Sequence, residues 1–253
     1  MLEARGVSKR YGAGWRRRGH LALDGVDLTL GTGEALGVIG QSGSGKSTLA
    51  RLMMGLEAPS AGDIYWNGQA LSDFSSAQWK AFRRAAQIVF QDPAAAFNPR
   101  FTLNAAFTAP LRNLCGLNAH AARAKAEGLM AEVGLSPAFL DRYPHALSGG
   151  QLQRVAIARA LAPDPDILLL DESVSALDVS VQAQVLKLIA RLRAERNLTL
   201  LFVSHDLAVI SLICERALVM RDGQVVEEGP TRELLANPRS SYMRDLLDAV
   251  PSL

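Results

Sequence analysis

Few cysteines and no long apolar run are present in this sequence. Its two cysteines, Cys115 and Cys214, are too few and too isolated for a disulfide framework or a structural zinc site. No apolar run approaches the ~18 residues that a membrane-spanning helix requires, and the first residues lack the apolar core of a signal peptide. We therefore expect two packed or partly exposed thiols in a chain that stays in the cytoplasm.

An excess of either charge is also missing. The 27 Lys and Arg residues nearly balance the 25 Asp and Glu residues, which leaves a formal net charge of +2. Bulk charge therefore gives no reason to expect nucleic acid as a partner. One local exception, the run from Arg16 to Arg18, is expected in a solvated loop, with contact to lipid headgroups or to a partner as the alternative.

What is present is the composition of a globular protein, with 49% apolar and 21% charged residues. Its 253 residues can bury a sizeable core as one large domain or as two intimate subdomains. Short apolar stretches alternate with helical patterns, as in α/β proteins. Strands are predicted at residues 36–39, 87–90, 167–170, 199–203 and 217–220. The run at 167–170 has no polar alternation, so we expect it inside a parallel sheet covered on both faces.

A helical segment interrupts this α/β pattern. Between residues 92 and 161 the sequence becomes Ala-rich and helical, as at 119–133. We predict one domain, residues 1–253, in which a helical subdomain at 92–161 is inserted into a core made of 1–91 and 162–253.

The N-terminal region has a different pattern. Residues 6–11 and 21–30 predict two antiparallel strands, with residues 12–20 as the connecting loop. The predicted fold class is therefore α/β, with an N-terminal antiparallel β subdomain and an inserted helical subdomain.

A glycine-rich segment between a predicted strand and a predicted helix carries the strongest functional signal. It fills every required position of the phosphate-binding pattern G-x-x-x-x-G-K-[ST]. In order, its residues are Gly40, Gln41, Ser42, Gly43, Ser44, Gly45, Lys46, Ser47 and Thr48. The glycines let successive backbone N–H groups point inward at a helix N-terminus, which attracts phosphate. Lys46 adds a cation for the β- and γ-phosphates and Ser47 a hydroxyl for Mg²⁺, so we predict a nucleoside-triphosphate site.

A second helix start suited to phosphate follows Leu147. It reads Ser148, Gly149, Gly150 and Gln151. The serine is placed to cap the helix pattern of residues 152–161, and the two glycines expose backbone N–H groups. Alone, Ser-Gly-Gly before a helix is a common cap, so its meaning depends on the other motifs.

Polar residues follow three of the predicted strands. Asp171 and Glu172 end the apolar run at 167–170, a placement that suits metal binding and water activation at the edge of a sheet. Gln91 and His205 come after two other strands. Alone, neither of these two residues would indicate a function.

Taken in order along almost the whole chain, these motifs resemble those of the ATP-binding subunits of ABC transporters, whose signature is L-S-G-G-Q. The resemblance implies a P-loop NTPase with a RecA-like, mostly parallel sheet, and implies ATP and Mg²⁺ as cofactors. It also implies that residues 148–151 complete an ATP site formed mainly by the phosphate loop of a second subunit. Two head-to-tail chains would then sandwich two nucleotides.

The same resemblance implies roles for the polar residues at the strand ends. Asp171 holds Mg²⁺ through water, with Ser47 as a further metal contact. Glu172 acts as general base or orients the water that attacks the γ-phosphate. His205 contacts the γ-phosphate and that water, and Gln91 senses Mg²⁺ and water while linking the core to the helical subdomain.

Two more positions gain a role from the resemblance. Asp178 belongs to the segment at 175–178 that is expected across the subunit interface. Tyr11 lies where the family usually has an aromatic residue stacked on adenine, and Trp15 is a competing candidate because the loop around it is long. ATP is the expected nucleotide, although no residue that we identify excludes GTP.

Two segments are similar to importers of dipeptides, oligopeptides and nickel, namely residues 89–100 and the tail at 237–251. Such importers commonly pair two different ATPase subunits, one with a C-terminal cysteine cluster for an iron–sulfur centre. This chain lacks those cysteines and resembles the other type. Residues 65–71 and 78–84 favour a nickel importer, whereas the tail favours a peptide importer, so the solute stays open.

The predicted function is therefore ATP hydrolysis that powers a membrane importer. Its expected partners are two transmembrane permease subunits, contacted mainly by residues 92–114, and a second ATPase subunit that is identical or different. An extracytoplasmic solute-binding protein would take part indirectly, and no nucleic acid is expected. The chain would lie peripherally on the cytoplasmic face of the inner membrane.

Two other classes of function fit the sequence less well. A soluble ABC-type ATPase acting on nucleic acid or ribosomes usually carries a long coiled-coil insertion or duplicated cassettes, and this sequence has neither, nor a broad basic stripe. A small-molecule P-loop kinase is the other class, but that hypothesis explains neither the segment at residues 147–151 nor His205.

Overall fold

The computed structural model describes residues 1–12, 19–175 and 177–249. These residues form two compact units, one made of Met1–Ser75 with Thr199–Leu253 and the other of Ser76–Leu198. Trp15 and the run from Arg16 to Arg18 lie outside the described residues.

The described strands and helices alternate along much of the chain. In chain order the strands are β1 (Leu2–Tyr11), β2 (His20–Leu30), β3 (Ala35–Ile39), β4 (Ala61–Trp66), β5 (Gln69–Ala70), β6 (Ala86–Val89), β7 (Ile167–Asp171), β8 (Thr199–Ser204), β9 (Arg216–Arg221) and β10 (Gln224–Pro230). The helices are α1 (Lys46–Met53), α2 (Ser76–Ala85), α3 (Leu103–Cys115), α4 (Ala119–Glu132), α5 (Gly149–Leu161), α6 (Val179–Arg196), α7 (Leu207–Ile213), α8 (Thr231–Ala236) and α9 (Ser241–Asp248).

The first unit contains two sets of strands. An antiparallel sheet has the order β2-β1-β4-β5, which confirms the antiparallel pair predicted at residues 6–11 and 21–30. The other set has the order β10-β9-β3-β8, with β3 parallel to both β8 and β9. Every residue of β3 and of β8 is buried, as a continuous apolar run requires when both faces of a parallel strand are covered. Strand β10 is antiparallel to β9 and has alternating exposure.

The second unit joins a parallel strand pair to a helical region. Strand β6 pairs with β7, and all five residues of β7 are buried. Helix α4 packs against α3 and α5, and α5 packs against α6. Arg196 at the end of α6 donates to both carboxylate oxygens of Glu132 at the end of α4, at 2.8 and 2.6 Å. This bidentate pair holds the two helix ends together.

The α/β fold predicted from the sequence is confirmed, and the five strands predicted outside the N-terminal pair are also present. The helix expected at residues 119–133 is α4, and the one expected at 152–161 is α5. The boundaries 92–161 of the predicted helical subdomain stay a prediction, since the second unit extends beyond them on both sides. No helix in the described part of the chain is both long enough and apolar enough to cross a membrane.

Helix α6 offers a matched test of how burial stabilises the second unit. The side chain of Val185 is 0% exposed, whereas that of Val179 on the same helix is 83% exposed. We expect Val185→Ala to lower the free energy of unfolding by about 1–3 kcal/mol, because it removes buried methyl groups and leaves a cavity. Val179→Ala should change it by no more than about 0.5 kcal/mol. Urea denaturation followed by circular dichroism measures both, and equal losses would contradict the assigned packing of α6.

Candidate nucleotide-binding site

The phosphate loop connects β3 to α1, as the sequence predicts. Gly45 precedes the helix with φ at 103° in the left-handed region, and no side chain caps the helix start. Glycine at this position supplies no capping side chain of the kind that Ser, Thr, Asp or Asn would provide. A phosphate oxygen is a suitable acceptor at such a helix end.

Lys46 is folded back over the loop that precedes it. Its side chain is 4% exposed, and Nζ donates to the carbonyl oxygen of Gly40 at 2.7 Å and to that of Gln41 at 2.9 Å. The backbone N–H of Gln41 donates to the hydroxyl oxygen of Tyr242 on α9 at 2.9 Å. The ammonium group is thus held at the loop, where a phosphate group would be bound.

Two features of the loop fit a bound phosphate chain. The hydroxyl oxygen of Ser44 is buried and has no hydrogen-bond partner among the described residues, so it is available to a ligand. A Cβ atom at Gly40 would lie 2.4 Å from the carbonyl oxygen of Met220 and 2.5 Å from the Ser44 hydroxyl oxygen. Only glycine allows this close approach of backbone to backbone, as phosphate-binding loops require.

His205 leaves the sheet next to the phosphate loop. Ile39 at the end of β3 pairs with Ser204 at the end of the parallel strand β8. The phosphate loop and His205 therefore start from neighbouring strands at the same edge, and the His205 side chain is exposed.

The acidic pair and Gln91 are brought together in the same way in the second unit. Val89 on β6 pairs with Leu170 on β7, so Gln91 and the acidic pair leave neighbouring strands at one edge. Asp171 is 9% exposed. Glu172 has φ at 45°, a left-handed conformation that costs a residue other than glycine of order 1–3 kcal/mol and often marks a functional site.

The described residues contain no group of three or more His, Cys, Asp or Glu side chains that could hold a metal ion by themselves. Mg²⁺ is commonly held by one or two carboxylates, waters and substrate phosphates rather than by an all-protein cage. The chemistry of Ser47, Gln91 and Asp171 suits that mode of binding.

The predicted cap at Ser148 is present and is reciprocal. The N–H of Gln151 donates to the Ser148 hydroxyl oxygen at 3.3 Å, and the N–H of Ser148 donates to the Gln151 side-chain oxygen at 3.0 Å. This capping box holds the start of α5. Gly149 is exposed, so its backbone can be approached by a ligand from outside the chain.

Asp178 acts as a helix cap within this chain. Its carboxylate accepts from the N–H of Val181 at 3.0 Å and from the hydroxyl of Ser180 at 2.8 Å. The hydrogen bond from Val181, with smaller contributions from Ser180, lowers the pKa of this carboxyl below its usual value. Whether Asp178 also acts across a subunit interface stays a prediction.

Tyr11 is connected through Glu57 to α1, the helix that follows the phosphate loop. Its hydroxyl donates to Glu57 at 2.7 Å, and Arg51 on α1 donates to the same carboxylate at 2.9 Å. The hydrogen bond from Tyr11, joined by the charges of Lys9 and Arg51, lowers the pKa of Glu57. The orientation of the Tyr11 ring is therefore coupled to α1. The competing candidate, Trp15, lies outside the described residues.

Sequence reasoning missed Tyr242 and Glu57. Tyr242 contacts a residue 201 positions away and Glu57 one 46 positions away, and neither lies in a local motif of known chemistry. The tail that contains Tyr242 resembles the tails of importer subunits, but that resemblance indicates no contact with the phosphate loop.

A phosphate loop between a buried parallel strand and a helix, together with an acidic pair at the end of another buried strand, defines a P-loop nucleotide triphosphatase. The chain belongs to the ABC transporter family, whose model matches residues 23–175. Members of this family bind ATP and couple its hydrolysis to transport.

Curated relatives and solved structures support this assignment. The chain is 46% identical over 231 residues to the oligopeptide transport ATP-binding protein OppF of Escherichia coli, covering 91% of this chain and 69% of that one. It is 43% identical over 258 residues to the nickel import ATP-binding protein NikE of Rhodospirillum rubrum, covering 100% and 93%. The ATP-binding cassette MJ0796, solved as a dimer bound to ADP and phosphate, matches with a TM-score of 0.82 and 32% identity over 92% of this chain and 99% of that one.

The start of α5 provides a second prediction. A Cβ atom at Gly150 would lie 2.4 Å from a methyl carbon of Val181 on α6, whereas one at Gly149 would meet nothing within 4 Å. We expect Gly150→Ala to lower the free energy of unfolding by about 1–3 kcal/mol through overpacking. Gly149→Ala should leave it unchanged or slightly higher, because alanine favours a helix.

The double variant Gly150→Ala/Val181→Ala is the control, since it removes the clashing methyl groups. It should recover most of the stability lost in Gly150→Ala, as measured by urea denaturation of the full chain. A double variant no more stable than Gly150→Ala alone would contradict the proposed clash.

Proposed function

We propose that this chain is the ATP-hydrolysing subunit of a membrane importer for peptides or nickel. The observation that carries the proposal is the phosphate loop with its buried lysine and its buried Ser44 hydroxyl, which has no hydrogen-bond partner among the described residues, in a chain 46% identical to OppF and 43% identical to NikE. The first name describes an ATP-binding protein of oligopeptide transport, and the second an ATP-binding protein of nickel import.

Binding of the nucleotide would use groups of the first unit. The N–H groups of residues 43–48 and the ammonium group of Lys46 bind the β- and γ-phosphates. The ring of Tyr11, oriented through Glu57, stacks on the base. Ser47, Gln91 and Asp171 would hold Mg²⁺ directly or through water, and the metal ion would offset charge on the phosphate oxygens.

Hydrolysis would use the residues at the strand ends. Glu172 accepts a proton from water or orients it for attack on the γ-phosphate, and its left-handed backbone marks the strained position at the end of β7 where this chemistry would occur. His205 hydrogen-bonds the γ-phosphate and the water. Positioning and electrostatics supply most of the catalysis of phosphoryl transfer.

A second chain would complete each site. Ser148, Gly149 and Asp178 are exposed, and Val179 beside them is 83% exposed although it is apolar. An exposed apolar side chain fits an interface with another subunit. The exposed start of a helix fits the phosphates of a nucleotide held by that subunit. MJ0796 is described as a dimeric cassette, which supports a sandwich of two chains.

Substitution of the proposed base tests the hydrolytic assignment. Glu172→Gln retains size and tolerates the same backbone conformation but removes the basic carboxylate. We expect ATP hydrolysis to fall by about 10²–10⁴-fold, the usual contribution of a general base, while ATP binding is retained and the closed pair accumulates. Phosphate release, equilibrium dialysis and gel filtration measure these three quantities.

The matched control is Glu195→Gln on α6, where the side chain is 52% exposed. It should hydrolyse ATP at the rate of the unchanged protein. Normal turnover in Glu172→Gln would remove Glu172 from the role of base.

The partners and location follow from the proposed importer. Two permease subunits and a second ATPase subunit would hold the chain at the cytoplasmic face of the membrane, with a solute-binding protein acting from the other side. The relatives include both peptide and nickel systems, so the solute is identified through the partner proteins.

Recovery of the tagged full chain from detergent-solubilised native membranes tests this assembly. We expect two permease chains and a second ATPase among the retained polypeptides, because an ATPase of this family acts on membrane subunits. Affinity of the associated solute-binding protein for a peptide or for nickel then identifies the solute. Retention of ribosomal or nucleic-acid-bound proteins alone would overturn the importer and favour a soluble ABC-type ATPase.

A further inference from the structure

We propose that Tyr242 is a positioning residue for the phosphate loop, and that its hydroxyl group sets the affinity for the nucleotide. The proposal rests on ATP binding by the loop, which family membership supports, and not on the identity of the solute. Nothing in the motifs of the family names this residue. It lies in the first turn of α9 and reaches the loop from the far end of the chain.

One peptide group of the phosphate loop is hydrogen-bonded on both sides. The carbonyl oxygen of Gly40 accepts from Nζ of Lys46 at 2.7 Å. The N–H on the other side of the same peptide bond, that of Gln41, donates to the Tyr242 hydroxyl oxygen at 2.9 Å. Both polar atoms of the Gly40–Gln41 peptide are therefore held by side chains. A peptide held at both ends cannot rotate without breaking two hydrogen bonds.

Lys46 connects the orientation of this peptide group to the binding of phosphate. The ammonium group that would bind the β- and γ-phosphates uses the Gly40 carbonyl as an acceptor, so the orientation of that carbonyl sets where the ammonium group lies. Gly40 has φ at 158°, and glycine presents a low barrier to other backbone conformations. The Tyr242 hydroxyl group opposes that freedom.

Tyr242 is itself well placed to act as a fixed point. Its side chain is 7% exposed, and the guanidinium carbon of Arg221 lies 5.1 Å from the centre of its ring. The carboxylate of Glu227 on β10 accepts from the N–H groups of Arg239 and Ser240 and from the Ser240 hydroxyl. These bonds fasten the start of α9 to a strand of the sheet.

The expected effect is on affinity rather than on the chemical step. Without the hydroxyl group, the loop must be ordered when the nucleotide binds, and that cost lowers affinity. Once the phosphates are bound, their contacts hold the loop, and the rate of hydrolysis at saturating ATP is retained. A KM that rises while kcat stays constant is the signature of such uniform binding.

The test compares Tyr242→Phe with Ser240→Ala in the full chain. Tyr242→Phe keeps the buried ring and removes one hydroxyl group, and it should raise the Kd for ADP by about three- to tenfold, the effect of one hydrogen bond. Ser240→Ala removes the cap of α9, whose hydroxyl accepts from the N–H of Met243 at 3.1 Å. It should lower the Tm and raise the Kd for ADP by less than Tyr242→Phe does, because the Glu227 carboxylate still accepts from the N–H groups of Arg239 and Ser240 and continues to hold α9. Calorimetric titration with ADP, which is not hydrolysed, measures the Kd of both variants, and thermal denaturation measures their Tm.

Two outcomes would overturn the proposal. One is an unchanged Kd for ADP in Tyr242→Phe, and the other is an equal rise in both variants, which would mean that α9 acts only through general stability. Hydrogen exchange of the Gln41 amide in the unchanged protein is an independent check. The proposal requires protection of that amide, and free exchange would contradict it even if Tyr242→Phe failed to fold.

These measurements are separate from the test of import. The ADP titration needs no permease subunit, so an importer assignment that failed would leave the Tyr242 result standing. Conversely, an unchanged Kd in Tyr242→Phe would leave the importer proposal intact.

Discussion

The pairing register of parallel strands is the constraint on which the candidate site depends. Ile39 pairs with Ser204 in the first unit, and Val89 pairs with Leu170 in the second. Parallel strands end at a common edge of a sheet, so the two segments that follow a pair of neighbouring strands lie side by side. In each unit these segments carry predicted site residues. A slip of one residue would turn the side chains of a buried strand to the opposite face. The continuous apolar runs of β3, β7 and β8 allow both faces to be buried, and the backbone hydrogen bonds then fix which loops are neighbours.

Rigid strands also sustain unusual backbone conformations at their ends. Glu172 follows fully buried β7 with φ at 45°, and Gly40 follows fully buried β3 with φ at 158°. Strain of order 1–3 kcal/mol at a residue such as Glu172 persists only when the surrounding structure is stable enough to hold it. Lys46 depends on the same support, because its two described carbonyl acceptors belong to the loop that β3 positions. The conformation of the loop is thus supported by hydrogen bonds within the chain.

Some motif residues have complete local roles within one chain. The Ser148 and Gln151 side chains satisfy each other's backbone N–H groups, and Asp178 caps α6. Sequence alone suggested the cap at Ser148, and the family resemblance suggested roles toward a second subunit for both motifs. The two roles are compatible, because Ser148 and Asp178 remain exposed. A helix start whose side chains are held by capping presents its backbone in a fixed direction to a nucleotide on another chain.

The sequence by itself determined the α/β class, seven of the strands, and the identity of the phosphate loop, the signature and the acidic pair. These features are encoded locally, in apolar runs, glycine spacing and helix caps. Only the tertiary structure decided that β10 covers the edge of β9 and that Glu57 holds Tyr11. It also brought Tyr242 to Gln41, 201 residues away. A hydrogen bond between distant segments leaves no periodic or local pattern in the sequence, since it depends on how the whole chain packs.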